Sequence, residues 1–371
     1  MIECFKRLNR YRNFLIKKIK NNLKTNQLNK RKLNQTVFDA EKYHSLLIVM
    51  CDFGIGDAIV ASFLINELRQ KNYQVNVVVD ERLSFLFNGF IEVDNAYFFN
   101  KKEIKKFCKT AKNISIDLAI DLYDEGDNSI RRVELISSFN PTHTIGFNQS
   151  KFLQYDTSID FNEVNAHITK RSCMILDLLK ISYNCVQYHL NIYHDELLAA
   201  KKFIDQVCNG SDKFIIVFNP FGSSEAKSFS HEQIKRINAF LSQQKNCTTI
   251  IVGEQKQICG IDELPNIHLN RNPSFVVASA LVSLCHLVIS VDTSVVHVAS
   301  TYNKPMIAVY NNRFNAGFNL NKVWAPIGTN AKLLFTQQNK ITKAGDPIAE
   351  LDIQLIIEQI KETLKNFRPL V

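Results

Sequence analysis

Apolar and polar positions fall into three regimes along the chain. Near the start, Phe5, Leu8, Tyr11, Leu15 and Ile19 recur at steps of three and four, which draws one apolar stripe along a helix. Residues 21–43 lose that period, are polar and rich in Asn, Lys and Gln, and are expected to form a linker. From Ser45 onward, short apolar runs alternate with helical patterns. The runs Leu46–Cys51, Val75–Val79, Ile116–Leu122 and His143–Phe147 predict strands, and the patterns over Asp57–Gln70, Lys101–Lys112 and Ser129–Ser138 predict helices.

The alternation restarts after a helical pattern over His167–Ile181 and a less regular stretch to Tyr193. Phe214–Phe218, Thr248–Val252, Leu287–Val291 and Met306–Val309 predict buried strands. Gln233–Gln243, Phe275–Ser283 and Val295–Tyr302 predict helices between them, and Ile353–Leu364 predicts a terminal amphipathic helix. Such alternation implies parallel βαβ units with helices on both faces of a sheet. The expected fold class is therefore α/β, with two Rossmann-like halves. Its expected segments are a basic arm and linker over 1–43, a first half over 44–185 and a second over 186–371. No short-period repeat is present, which excludes a solenoid or propeller.

Composition adds three constraints. The chain has 371 residues with 46% hydrophobic and 22% charged, enough core for two or three domains. No apolar run reaches the length of a membrane span. The net charge is +9, yet residues 1–35 hold eleven bases and one acid, leaving 34 bases against 35 acids in the rest. A nucleic-acid enzyme would carry its positive charge on the folded body, so no nucleic-acid partner is expected. A basic amphipathic helix reads as an element lying on an anionic membrane surface, or as a helix packed on the body, and the pattern alone leaves both open. Nine scattered cysteines without a CxxC pair, and no apolar signal segment, point to a reducing cytoplasm and to no metal site.

Three strand-to-helix turns carry the candidate chemistry. The first is Asp52-Phe53-Gly54-Ile55-Gly56-Asp57, which is neither a GxGxxG fingerprint nor a P-loop. The turn reads as a ligand site at the carboxyl end of a parallel strand, or Asp57 is simply an acid complementing the helix dipole. The second runs from Asn219 and Pro220 through Gly222, Ser223 and Ser224 to Lys227, with Ser230 and Gln233 forming a capping box behind it. That lysine suits a phosphate, or is a solvated connection. The third is Asp292-Thr293-Ser294 with His297 one turn on, where free N–H groups at a helix start would face an anion. Asp292 or Thr293 as a helix cap and His297 as a core histidine is the structural alternative. Glu254, after the strand ending at Val252, is a candidate for ribose hydroxyls or a solvent-facing acid, and Trp324 and Pro326 read as packing at the far edge of the second half.

Taken together and in this order, Gly54-Ile55-Gly56-Asp57, Pro220 through Lys227, Asp292-Thr293-Ser294 with His297, and Ala299 through Tyr310 resemble glycosyltransferase family 9, the lipopolysaccharide core heptosyltransferases. The resemblance covers about residues 45–365 and leaves the arm outside. It implies a GT-B architecture, two Rossmann-like domains facing a central cleft, with the nucleotide-sugar donor held mainly by the second. It further implies an inverting, metal-independent transfer without a cofactor, from ADP-heptose to a lipid-linked oligosaccharide at the inner face of the inner membrane. Carried over, Asp57 matches the general base and Lys227 the lysine on the donor phosphates. Ser223, Ser224, Glu254, Asp292, Thr293, Ser294 and His297 fall on the donor side, and Gly54 and Gly56 on the acceptor-side loop. One position departs, because the family usually has Gly where this chain has Ser294. Two other classes fit the same residues: a silent nucleotide-sugar-binding scaffold, and an enzyme using another nucleotide sugar. An epimerase of the nicotinamide-dependent kind lacks its Gly-rich loop here.

Overall fold

The computed structural model describes residues 2–30, 35–124, 129–312, 314–315, 318–328, 330–336 and 345–367. A helix α1 (Ile2–Asn29) precedes the first sheet, whose strands are β1 (Ser45–Met50), β2 (Gln74–Asp80), β3 (Asn95–Phe99), β4 (Leu118–Asp121), β5 (His143–Phe147) and β6 (Thr157–Ile159). They lie in the order β3-β2-β1-β4-β5-β6, every pair parallel. The helices between and after them are α2 (Ile55–Gln70), α3 (Ile104–Thr110), α4 (Ser129–Phe139) and α5 (Thr169–Leu178).

The second half begins with α6 (His194–Cys208). Its strands are β7 (Phe214–Asn219), β8 (Cys247–Ile251), β9 (Ile267–Leu269), β10 (Leu287–Val291), β11 (Met306–Tyr310), a two-residue hairpin β12 (Phe314–Asn315) and β13 (Phe318–Asn319), and β14 (Ala331–Phe335). The six main strands order as β14-β11-β10-β7-β8-β9, again all parallel. Helices α7 (His231–Ser242), α8 (Gln255–Ile258), α9 (Phe275–Leu284), α10 (Ser294–Thr301), α11 (Leu320–Val323) and α12 (Ile353–Phe367) complete it. Two parallel sheets, each flanked by helices, give the two Rossmann-like domains of a GT-B fold.

Strand interiors explain the apolar runs. Leu46 through Met50 of β1 and Leu287 through Ile289 of β10 have no exposed surface, because helices cover both faces of a parallel sheet. The largest buried cluster runs from β1, α2 and α5 to α9 and α10, so the two halves share packing where α2 meets α10.

Three expectations change. Residues 21–29, read as linker, continue α1, and its end seats on the first half: Leu28 is buried, Gln154 Nε2 donates to the Leu28 carbonyl at 2.7 Å, and Asn29 Nδ2 donates to the Lys151 carbonyl at 3.1 Å. Residues 35–43 are also fixed, with the Thr36 amide donating to Asp156 at 2.8 Å and Phe38 and Tyr43 packed around His143. Isolated apolar anchors in a polar stretch give no period, which is why pattern reading passes over them. Finally, residues 189–193 still bond to the first half, His189 N–H to Ser62 Oγ at 2.9 Å and Asn191 N–H to the Phe90 carbonyl at 2.8 Å, so the crossover into the second half falls at α6 rather than at residue 186.

Candidate active site

Both sheets reverse strand order at one point, and parallel sheets bind ligands outside the carboxyl ends of strands at such points. In the first sheet the reversal lies between β1 and β4, and in the second between β7 and β10. The turn carrying Asp57 follows β1. The Lys227 loop and the Asp292–Thr293 turn follow β7 and β10. Topology therefore places these candidates at the two switch points.

The first turn contains two acids in different environments. Asp52, in the left-handed region at φ 67°, is bound by Lys101 Nζ at 2.6 Å and Arg131 Nη1 at 3.2 Å. Partial burial would raise its pKa, but Lys101 and its other partners hold it below the ordinary carboxylate value. Asp57 sits at the third position of α2, and its Oδ2 accepts from the Gly54 N–H at 2.5 Å. Burial pushes its pKa up, opposed most by the Gly54 N–H and also by the nearby Tyr123 hydroxyl. Asp57 is thus both a helix-start acid and the better proton acceptor of the two. It opens onto a small, mostly apolar pocket with Phe53, Tyr123, Arg171, Ser172 and Trp324.

On the donor side, Lys227 Nζ and Asp292 Oδ2 form an ion pair at 2.6 Å. The loop folds tightly enough to bring Lys227 back over β7: a Cβ on Gly222 would lie 2.4 Å from the Lys227 carbonyl oxygen, so only glycine fits there. Ser228 closes the same loop, accepting from the Gly222 N–H and donating to the Ser224 carbonyl, both at 2.9 Å. Ser223 and Ser224 are exposed on its outer side. Ser230 and Gln233 form the expected capping box. Thr293 caps α10 through its Oγ1, which also accepts from Asn219 Nδ2 at 2.8 Å. Asn219 is buried at the end of β7 and donates as well to Ser290 Oγ at 3.1 Å, locking the two turns together.

The starts of α2 and α10 meet directly. A Cβ on Gly56 would come within 3.0 Å of the His297 ring and 3.7 Å of the Ser294 Cα, so glycine at 56 permits this approach. Ser294 opens α10. His297 is buried between the rings of Tyr188 and Trp324, and burial pulls its pKa down to about 4. The ring is therefore neutral near pH 7 and lies at the junction of α2 and α10. One residue, Trp324, departs from expectation, whereas Glu254 takes one of its two expected forms. Glu254 is exposed, caps α8 with Gln257 and pairs with Lys256 at 2.8 Å, so its present contacts are those of a solvent-facing loop acid. Trp324 does not pack a far edge but reaches the Asp57 pocket, because residues 323–325 bond to the first half: Val323 O accepts from the Ile168 N–H and Ala325 O meets His167 Nε2, both at 2.9 Å. Sequence reasoning gives no signal for Tyr123 or Arg171, which line the Asp57 pocket from segments far away in sequence. Among the described residues, no group of three or more His, Cys, Asp or Glu is placed to hold a metal, and no helix is long and apolar enough to cross a membrane.

Comparison with known proteins agrees with this geometry. A family model described as glycosyltransferase family 9 (heptosyltransferase) matches residues 104–345. An Escherichia coli (strain K12) protein named "Putative lipopolysaccharide heptosyltransferase 4" is 27% identical over 328 residues, spanning 84% of this chain and 87% of that protein. Among solved structures, the glycosyl transferase family 9 protein from Veillonella parvula DSM 2008 superposes with a TM-score of 0.71 at 17% identity, over 90% of this chain and 100% of that one. The E. coli ADP-heptose lps heptosyltransferase II superposes with a TM-score of 0.63 at 16% identity, over 87% and 99%. The family match spans well over half the chain, and the protein is a glycosyltransferase belonging to family 9, the heptosyltransferases.

Proposed function

We propose that this glycosyltransferase moves a heptose from ADP-heptose to a saccharide of the lipopolysaccharide core, with inversion and with Asp57 as general base. The observation that carries the reading is the convergence of Asp57 and the Lys227–Asp292 pair on the switch points of two sheets whose helices α2 and α10 touch. The names of the E. coli relatives supply the sugar and the class of acceptor. In this mechanism Asp57 takes the proton of an acceptor hydroxyl as that oxygen bonds to the anomeric carbon. The bond from the anomeric carbon to the diphosphate breaks on the opposite face, and ADP leaves with the electron pair. Lys227 and the N–H groups at the start of α10 offset the charge growing on ADP. Ser223, Ser224, Asp292, Thr293, Ser294 and His297 line or brace the donor side, and Glu254 would reach a ribose only by leaving Lys256. Because fixed cations and amides supply the positive charge, no metal is needed.

The test is transfer by the full-length protein from ADP-heptose against a panel of other nucleotide sugars, with and without a chelator. ADP-heptose is expected to be the preferred donor, with chelator changing turnover less than twofold. Strict divalent-metal dependence, preference for another nucleotide sugar, or absence of both transfer and donor hydrolysis overturns the proposal.

The basic arm fits a protein working at the cytoplasmic face of the inner membrane on a lipid-linked acceptor. Tyr11, Leu15, Ile16, Ile19 and Leu23 are all exposed on α1, although its far end is seated on the body. The side chains of Phe5 and Leu8 lie outside the described residues. Lys6, Arg7, Arg10, Arg12, Lys17, Lys18 and Lys20 share this segment with the exposed stripe. Each base near an anionic surface adds about 1 kcal/mol, screened by salt. Deleting residues 2–22 spares the seated turn at Thr25–Asn29 and is expected to release the protein from phosphatidylglycerol vesicles while preserving turnover on a delipidated acceptor. Equal vesicle binding by the truncated and full chains at low salt would remove the anchor from the account.

A further inference from the structure

Trp324, the chain's single tryptophan, follows α11 in the second half, yet it lines the Asp57 pocket of the first. Three consecutive carbonyls hold it there. Val323 accepts from the Ile168 N–H at 2.9 Å, Trp324 itself from the hydroxyl of buried Tyr310 at 3.4 Å, and Ala325 from His167 Nε2 at 2.9 Å. The His167 ring is fixed in turn, because its Nδ1 accepts from the Thr169 N–H at 3.3 Å and lies 2.7 Å from the Thr169 hydroxyl. An edge contact with the His297 ring, 6.3 Å between centroids and 70° between planes, braces the indole. The peptides on both sides of Trp324 are thus pinned to the first half. The indole joins Phe53 and Tyr123 in the pocket wall, where those two rings meet edge to face at 5.0 Å.

Val60, Leu122 and Ile168 add further apolar surface to the three rings. Arg171 is the cation among the lining residues, and it is already taken by Asp124 and by the Leu122 carbonyl at 2.6 Å. Asp57 is the charged group left to address a substrate. An apolar wall beside one carboxylate suits a sugar, whose C–H face is apolar and whose hydroxyls ring its edge. The cavity measures about 30 Å³, room for one hydroxyl but not for a sugar ring. We propose that Trp324 is the platform on which the acceptor sugar stacks, the C–H face lying on the indole while one hydroxyl enters the cavity toward Asp57. The indole is half-buried, which keeps part of its surface open for that contact. Stacking fixes the plane of the sugar, and with it which hydroxyl reaches Asp57, so Trp324 determines acceptor specificity. The proposal rests on the reading of Asp57 as the acceptor-side base, but the contact itself forms before any chemistry and without the donor.

Because no other tryptophan is present, indole emission from the wild type reports on this position alone. Titrating the full-length protein with a delipidated lipopolysaccharide core oligosaccharide, in the absence of donor, is expected to change that emission saturably, with a midpoint near the acceptor KM. Trp324→Leu is expected to raise acceptor KM about tenfold and Trp324→Phe about threefold, with donor KM within about twofold of wild type in both. A merely structural indole would lower the melting temperature and leave the ratio of acceptor KM to donor KM in place. If a variant melts early, the two KM values still stand, since neither depends on the fraction of protein folded. Emission unmoved by saturating oligosaccharide overturns the platform. So does an unchanged acceptor KM in Trp324→Leu, or an effect confined to donor KM. Near-wild-type turnover in Asp57→Asn would overturn the base reading instead, and emission and acceptor KM judge the platform whichever way that result falls.

Discussion

Asp57→Asn is expected to cut heptosyl transfer about 10²- to 10⁴-fold while donor affinity stays within about twofold of wild type. The substitution is chosen because Asn keeps a side-chain oxygen for the Gly54 N–H that Asp57 accepts at 2.5 Å, so the start of α2 survives. What Asn loses is the capacity to take a proton. Lys227 and Asp292 belong to the other sheet, which is why the donor should bind as before. Asp52 cannot stand in, since Lys101 and Arg131 already occupy its carboxylate. In the wild type the pH profile carries the same signature. Burial raises the Asp57 pKa, so activity should fade, as pH is lowered, at a higher pH than an exposed aspartate would give. Transfer rates for the two proteins, measured with a saturating donor and a titrated acceptor, decide the matter. Turnover in the Asn variant close to wild type would take the base role away from Asp57.

How much of this was legible in the sequence depends on where each residue gets its partners. Leu46–Met50 and Leu287–Val291 are sandwiched between helices, so they read as apolar runs, the second broken only by Ser290, and their bounds follow from the sequence to within a residue. Edge strands differ. β3, β6, β9 and β14 are short or half-exposed and carry no such run, so they were not anticipated. Helix α6 was missed too, although its apolar positions Leu197, Ala200, Phe203, Ile204 and Val207 repeat at helical spacing. The three candidate turns were visible because a strand end, a helix start and a chemically distinctive side chain coincide within a few residues. Contacts between distant turns have no such local trace. Lys227 and Asp292 are 65 positions apart, and Tyr123 lines the Asp57 pocket from the end of a different strand. Only the strand order, which periodicity does not encode, brings those pairs together.

Lys227→Ala is expected to weaken ADP-sugar binding and to lower kcat about 10²-fold, a loss typical of removing one donor from a developing negative charge. Both parameters should fall together. Lys227 would touch the diphosphate in the ground state, and its attraction grows as the bond to the anomeric carbon breaks and charge builds on ADP. The fold should tolerate the change, because Lys227 and Asp292 sit on loops beyond the strand ends and outside the buried apolar clusters. One complication has a clean control. Removing the ammonium leaves the Asp292 carboxylate facing the donor's phosphates alone, and that repulsion would add to the loss. In the double variant Lys227→Ala/Asp292→Asn the repulsion is gone, so whatever deficit persists belongs to the lysine. Donor titration by calorimetry, beside kcat measured at saturating acceptor, separates the two contributions. A defect confined to acceptor KM, with donor affinity intact, would place Lys227 outside the diphosphate site and would leave the start of α10 as the main anion-binding element of the second half.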